Sequence, residues 1–144
     1  MDTEVITGAS DAPGAVGREA AVREVLGRYF DGLYAGDTAL LAGVFHPGAV
    51  YATASGGELL RLDMDAYFPV VERREPPAAR GERRRDRIVS VDFAGPVTAL
   101  ARVECALGPR FCTDFLTLVH VAGRWQIVAK VFHYETSASG NAGA

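Results

Sequence analysis

The sequence predicts an α+β domain in which helices cover one face of a curved antiparallel sheet. Amphipathic segments dominate the first half, and four segments rich in Val, Ile, Thr and Phe make up most of the second half. Helices followed by a run of strands are typical of this class. The 144 residues fit one domain with a sizeable core. We expect the folded unit at 18–135, between disordered segments at 1–17 and 136–144, which are rich in small and polar residues.

Three segments show helical patterning. In "REAAVREVLGRYFDGLYAGD", apolar residues recur every three or four positions and form one helical face. Gly36 ends this helix, and Asp37 caps a second one, "TALLAGVF". Asp63 caps a third helix, "MDAYFPVVERRE", in which we expect Pro69 to introduce a kink. The apolar face of the first helix comprises Val22, Val25, Leu26, Tyr29, Phe30 and Leu33.

The remaining segments read as strands because they are rich in β-branched and aromatic residues and are separated by Gly and Pro. "AVYATASGGELLRL" predicts two strands joined by a Gly-Gly turn. The later strands are "RIVSVDF", "VTALARVECAL", "RFCTDFLTLVHV" and "RWQIVAKVFHYE". We expect the last four to form an antiparallel run.

The last two strands form a hairpin around the two-residue turn Ala122-Gly123. A regular register pairs Asp114 with Val131, and strict alternation then decides which side chains share a face. The face that we expect to be concave carries Cys112, Asp114, Leu116, Leu118 and His120 with Trp125, Ile127, Ala129, Val131 and His133. The same register places Lys130 on the outer face. We expect it to contribute to the sheet surface or a dimer interface there, and the alternative is a Schiff-base lysine.

Asp114 is an exception on that otherwise apolar face, because a buried carboxylate must be paired, neutralised or hydrated. In this register His133 is its diagonal neighbour, roughly 7–8 Å away at the backbone. A carboxyl group in an apolar cavity can act as a general acid or base. The pair therefore predicts acid/base chemistry in a pocket. The alternative is that both residues lie at the solvated rim of the sheet.

Several other residues can contribute to such a pocket. Tyr29 is either a core tyrosine or a hydrogen-bond donor in the pocket. His46 either caps the end of the second helix or points back into the pocket. Cys112 faces His133 in this register, but nothing around it indicates an activated thiol. We expect the substrate-binding residues to be Phe30, His46, Tyr51, Thr53, Cys112, Leu116, Trp125 and Val131.

The composition argues against several function classes. A net charge of −3 and a pI near 5.6 do not favour binding to nucleic acid or to an anionic membrane. The arginine-rich stretch 73–87 contains no aromatic residues and is interrupted by Glu75, Glu82 and Asp86, which is typical of a solvated face with ion pairs. The two cysteines lack metal-ligand spacing, and we expect neither a metal nor a cofactor. Without a signal-peptide pattern or a long apolar segment, we expect the cytoplasm.

Three segments together resemble the NTF2-like superfamily, in particular its SnoaL-like and putative lumazine-binding branch. They are "YFDGLYAGD", "LLAGVFHPGAVY" and "DFLTLVHVAGRWQIVAKVFHYE", and the resemblance extends over about 18–135. It implies a cone-shaped α+β barrel, in which a strongly bent antiparallel sheet wraps about three helices around one pocket. It also implies a homodimer formed through the sheet.

The superfamily includes steroid isomerases, polyketide cyclases, dehydratases, epoxide hydrolases and binding domains without catalysis, so the fold alone does not fix a function. Against the steroid isomerases, Tyr29 falls at the helix tyrosine and Asp114 falls near the strand aspartate, both of which serve as oxyanion donors. The position of their base falls near Thr53, which cannot act as a base, so that chemistry is not supported as such. The SnoaL-type cyclases use one aspartate as acid/base, and Asp114 is the comparable residue.

These considerations lead to two hypotheses. The first is a cofactor-independent acid/base enzyme, an isomerase, cyclase or dehydratase, that acts on a largely apolar or aromatic small molecule. Asp114 and His133 would be its acid/base pair, and Tyr29 would donate a hydrogen bond to developing oxyanion charge. The alternative is a ligand-binding or dimerisation module without catalysis.

Overall fold

The structure is a computed structural model that describes residues 15–137. The expected disordered segments lie mostly outside these residues, but 15–17 already belong to the first helix, and the last strand reaches Thr136. The elements are α1 (Ala15–Ala35), α2 (Thr38–Val44), β1 (Phe45–Thr53), β2 (Leu60–Asp63), α3 (Met64–Arg73), a short 3-10 helix (Pro77–Arg80), β3 (Asp86–Phe93), β4 (Thr98–Leu107), β5 (Arg110–Val121) and β6 (Arg124–Thr136).

The end of α1 and the starts of α2 and α3 lie where their capping residues predict. The side chain of Asp37 accepts a hydrogen bond from the Leu40 amide at 3.1 Å, and that of Asp63 accepts one from the Ala66 amide at 2.9 Å. Gly36 adopts a positive φ of 66°, which lets the chain leave α1 within one residue. α3 continues through Pro69 to Arg73, so the proline does not end the helix.

One curved sheet contains all six strands in the order β2-β1-β6-β5-β4-β3. Every neighbouring pair is antiparallel except β1 and β6, which run parallel. The three helices cover the concave face of this sheet and enclose the core, so the predicted α+β cone is confirmed. Among the described residues, no helix combines the length and apolar character needed to span a membrane.

A β-bulge in β6 changes the register of the last hairpin. Leu118 pairs with Ile127, but Thr117 pairs with Ala129, so Val128 is an extra residue on its strand. Beyond the bulge, the predicted register is wrong by one residue: Asp114 pairs with Phe132 instead of Val131. Because side chains alternate, this single residue turns Lys130 into the cone and turns Val131 and His133 outward.

The arginine-rich stretch forms ion pairs at the surface, as its alternation with acidic residues predicts. Arg80 pairs with Glu75 and Glu82, and Arg84 pairs with Asp31 and Asp86. All of these pairs are at least partly exposed to solvent and contribute little to stability individually.

Candidate active site

A buried carboxylate and a buried phenol meet in the middle of the cone. Asp114 on β5 and Tyr29 on α1 are both fully buried, and the Tyr29 hydroxyl donates a hydrogen bond of 2.5 Å to Asp114 Oδ2. Hydrogen bonds to a charged acceptor are short and strong. Burial, followed by the charge of Asp114, raises the pKa of Tyr29 well above its ordinary value, so the phenol keeps its proton. The second carboxylate oxygen, Asp114 Oδ1, is buried and has no hydrogen-bond partner among the described residues.

Lys130 brings a positive charge to the same place. Its side chain is only 5% exposed, and Nζ lies 4.0 Å from Asp114 Oδ2 and 3.4 Å from the Tyr67 hydroxyl. Burial by itself lowers the pKa of Lys130, but the neighbouring Tyr67 hydroxyl and the Asp114 carboxylate outweigh it and raise the pKa above its ordinary value. Lys130 is therefore an ammonium ion with three donors, of which the described residues satisfy one weakly.

Four aromatic rings surround this ammonium group. Their centroids lie 5.0–5.7 Å from Lys130 Nζ, which is within the range of cation–π attraction. Tyr51 and Tyr67 also pack against each other at 4.5 Å between centroids. The rings replace part of the hydration that the ammonium group loses on burial. They belong to Tyr29, Tyr51, Tyr67 and Phe132.

Each group reaches the site for a local reason. Tyr29 lies on the apolar stripe of α1, and the Asp63 cap fixes the start of α3 so that Tyr67 points into the core from its first turn. The bulge at Val128 rotates Lys130 inward, where it pairs with Leu116 on β5 and with Tyr51 on β1.

The two polar members Lys130 and Tyr67 were not predicted from the sequence. Lys130 was assigned to the outer face, which is wrong because the bulge inverts the alternation. One available signal was its identity as the only lysine in a chain that otherwise uses arginine. Tyr67 and Val71 are four residues apart on a predicted helix, so their shared apolar face could have been recognised.

The predicted pairing of Asp114 with His133 is wrong. His133 pairs with Thr113 on the outer face, and its side chain is 62% exposed. Its Nδ1 lies 2.6 Å from Ser55 Oγ, and its Nε2 lies 3.5 Å from a carboxylate oxygen of Glu135. The imidazole is therefore on the far side of the sheet from the buried carboxylate.

Four of the predicted binding residues lie on the inner side, near the buried groups. Leu116 and Tyr51 contribute to the buried wall around Lys130, and Thr53 is buried at the end of β1. Cys112 is also buried, but it pairs with Tyr134 on β6 and with Cys105 on β4, not with His133. Both cysteines are free thiols. The hydrogen bond between them raises the pKa of Cys105 and lowers that of Cys112.

The other four predicted binding residues lie away from the buried groups. Val131 is on the outer face and 49% exposed. Trp125 is buried near the hairpin turn, where it packs against Phe93 and His120. Phe30 packs against Tyr29 but faces a small cavity beside Tyr34 and Arg84. His46 belongs to β1, and its Nδ1 accepts a hydrogen bond from the Gly48 amide at 2.9 Å, so its side chain does not cap α2. The end of α2 is capped instead by the Phe45 amide, which donates to the Leu41 carbonyl.

The cone interior is closed in this conformation, because Asp114, Tyr29 and Lys130 are all buried. An open pocket of about 420 Å³ lies at the end of β1, and its walls include Thr53 and Tyr134. Inside the cone, Asp114 Oδ1 is a buried acceptor without a partner and Lys130 Nζ makes one weak hydrogen bond, counting only the described residues.

Comparisons with known proteins agree with this architecture. Residues 17–133 match the family described as "Putative lumazine-binding". An NTF2-like protein of unknown function from Shewanella baltica superimposes with a TM-score of 0.77 at 24% identity, over 87% of this chain and 99% of that one. A second, from Silicibacter pomeroyi, gives a TM-score of 0.73 at 25% identity, over 85% of this chain and 100% of that one.

A protein named aldolase FrzH, from Cladobotryum sp, is 32% identical to this chain over 92 residues, which cover 62% of this chain and 69% of FrzH.

Proposed function

Because this chain belongs to the Putative lumazine-binding family of the NTF2-like superfamily, we propose that it is a cofactor-independent acid/base enzyme that enolises a carbonyl-containing small molecule. Isomerases, aldol-type cyclases and dehydratases share a first step in which a proton is removed from the carbon next to a carbonyl group. The observation that carries this proposal is the buried Asp114, whose Oδ2 accepts a hydrogen bond from Tyr29 and whose Oδ1 has no partner among the described residues.

In the proposed reaction, Asp114 Oδ1 removes the proton from the substrate carbon. Tyr29 fixes the orientation of the carboxylate by donating to Oδ2, so its hydroxyl is a positioning group and not the predicted oxyanion donor. Lys130 is the oxyanion donor instead, since its remaining N–H donors can stabilise the negative charge that develops on the substrate oxygen. In a water-excluded interior such stabilisation is stronger than in water.

The surroundings favour an aromatic or otherwise apolar substrate. Leu116, Tyr51, Tyr67 and Phe132 provide the walls around the three polar groups. The name of the FrzH relative also supports this chemistry, because an aldol reaction begins with the same enolisation.

The first test is proton exchange in deuterium oxide. The wild-type protein is expected to accelerate deuterium incorporation next to the carbonyl group of ketones that carry an aromatic ring, such as phenylacetone, and NMR follows the exchange. Asp114→Asn should lower the exchange rate by about 10²–10⁴-fold, because the amide cannot take the proton. Tyr29→Phe should lower it less, since the base remains but is no longer held in place.

Asp92→Asn is the matched control, because Asp92 is exposed on β3 and should exchange at the wild-type rate. The variants are assayed at temperatures at which circular dichroism shows them folded. Equal exchange rates for Asp114→Asn and the wild type would contradict the mechanism. In that case the closed, aromatic interior favours a module that binds a ligand without transforming it.

We also propose that the protein is a homodimer joined through the outer face of the sheet. Exposed apolar side chains on β4, β5 and β6 form this face, and an unpaired patch of this kind is typical of an interface. Phe115 and Val131 pair across β5 and β6 at its centre and are 50% and 49% exposed. The remaining members are Leu100 and Phe111.

Phe115→Asp is expected to convert the dimer to a monomer, because it buries a carboxylate in an apolar interface. Light scattering coupled to size-exclusion chromatography measures the mass. Leu59→Asp is the control, since Leu59 is exposed far from this face, before β2, and should leave the mass unchanged. A monomeric wild-type protein would rule out the dimer.

A further inference from the structure

A serine, a histidine and a glutamate lie in a row outside the cone. Ser55 follows β1 in the turn before β2, and His133 and Glu135 lie near the end of β6. Ser55 Oγ lies 2.6 Å from His133 Nδ1, and His133 Nε2 lies 3.5 Å from Glu135 Oε2. This row contains none of the buried groups around Asp114, so its chemistry does not depend on them.

The hydrogen bonds of Ser55 determine where its proton points. Its Oγ accepts a hydrogen bond from the Tyr134 amide at 3.1 Å and one from the Thr53 hydroxyl at 3.2 Å, so its own proton is directed to His133 Nδ1. The neutral imidazole then carries its proton on Nε2, on the side of Glu135. A carboxylate in that place favours this tautomer and stabilises the imidazolium that forms when Nδ1 takes the serine proton.

The open pocket at the end of β1 borders this serine. The walls of this 420 Å³ pocket include Thr53 and Gly56, on either side of Ser55 in the chain, and Tyr134, whose amide holds Ser55 Oγ. The pocket is therefore large enough for a small organic molecule beside the hydroxyl group. Glu58 also lines it, and this negative charge favours a neutral molecule over an anion.

Two hydrogen-bond donors lie next to Ser55 on the pocket wall. The first is the Gly56 amide, which directly follows the serine and has no hydrogen-bond partner among the described residues. The second is the Tyr134 hydroxyl, which lies 3.9 Å from the place that a Cβ of Gly56 would occupy. Donors in such positions stabilise the oxyanion that forms when a serine attacks a carbonyl group.

We propose that Ser55, His133 and Glu135 form a second active site, which hydrolyses small neutral esters. His133 Nδ1 takes the Ser55 proton while Oγ bonds to the ester carbonyl carbon. The carbon–oxygen bond to the alcohol then breaks, and the alcohol leaves with the proton from His133. Water, whose proton passes to Nδ1, attacks the acyl-serine, and the products are the carboxylic acid and free Ser55. Glu135 orients the imidazole and is a positioning residue.

The first test uses 4-nitrophenyl acetate, whose cleavage releases a coloured phenolate, and diisopropyl fluorophosphate, which phosphorylates activated serines. Mass spectrometry of peptides is expected to find the phosphoryl group on Ser55. Ser55→Ala should remove this label and the catalysed hydrolysis. His133→Gln should lower the rates of both reactions about 10²–10⁴-fold, because the base is lost. Since His133 is exposed, this substitution tests the base without disturbing the core.

The role of Glu135 has its own readout. Glu135→Gln should lower kcat about two- to fivefold, as expected for an exposed ion pair, and leave KM unchanged. A general loss of structure would change both constants and the circular dichroism spectrum. An unchanged kcat would show that Glu135 does not position the imidazole.

Ser90→Ala is the matched control, because Ser90 is half-buried on β3, contacts no histidine among the described residues and should keep wild-type rates. Glu135 pairs with Phe111 of the proposed dimer face, so labelling is also measured in Phe115→Asp. A label on Ser55 in either form supports the inference. It is overturned if Ser55 is labelled in neither form, or if His133→Gln reacts as fast as the wild type.

Discussion

Replacing Asp114 with Ala is expected to lower the free energy of unfolding by about 3–5 kcal/mol. The carboxylate is the only negative charge within ion-pair distance of the Lys130 ammonium group among the described residues. Without it, the lysine must either stay charged without a counterion or lose its proton in the folded state, and both alternatives cost free energy. Urea denaturation followed by circular dichroism measures the loss.

A double-mutant cycle tests whether the unpaired Lys130 charge causes this loss of stability. Lys130→Met removes the buried charge, so Asp114→Ala combined with Lys130→Met should be considerably more stable than Asp114→Ala alone. A remaining deficit of about 1–3 kcal/mol is expected from the Tyr29 hydroxyl, which loses its acceptor. Glu104→Ala is the surface control, because it removes a partly exposed pair with Arg87 and should cost less than about 1 kcal/mol. If Asp114→Ala costs no more than this control, Lys130 is not held by Asp114.

Replacing Tyr67 with Ala is expected to cost about 3–5 kcal/mol, because it removes a fully buried ring and leaves a cavity. Tyr67 packs against Phe45 and Tyr51 and accepts the hydrogen bond that Lys130 donates. The loss therefore combines apolar burial with one wall of the aromatic site around the ammonium group. Thermal and urea denaturation both measure this loss of stability.

Two further substitutions separate these contributions. Tyr67→Phe keeps the ring and should cost only about 1 kcal/mol, the usual value of one hydrogen bond. Phe68→Ala, on the adjacent and less buried position of α3, should cost clearly less than Tyr67→Ala. A cost for Phe68→Ala equal to that of Tyr67→Ala would show that the buried site adds nothing to ordinary helix packing.

The fold was predictable because its local signals agree with one another. The caps at Asp37 and Asp63 and the turn at Ala122-Gly123 are each visible as short-range chemistry, and the structure confirms them. The parallel pairing of β1 with β6 was not predicted. It joins segments far apart in sequence, and no local pattern encodes such a partner.

The site was only half predictable, because a β-bulge has almost no signature in this sequence. In "IVAKVF" the extra residue Val128 stands among other small apolar residues, so the alternation reads equally well with either register. The contact of Tyr29 with Asp114 did not depend on that register. The positions of Lys130 and His133 depend on that register, and both residues were assigned to the wrong face.

The parallel contact between β1 and β6 has a consequence for how the chain acquires its structure. β1 lies between β2 and the C-terminal strand, so the N-terminal part of the sheet has no inner neighbour until β6 is available. During synthesis from the N-terminus, the apolar surfaces of α1 and the β1–β2 hairpin stay uncovered until β6 has been made. In contrast, β3 to β6 can assemble through contacts between strands that follow one another in the chain. A ribosome-bound chain that stops before Arg124 lacks both the Lys130 charge and the strand that joins the two parts of the sheet. β6 therefore completes the sheet and the buried ion pair together.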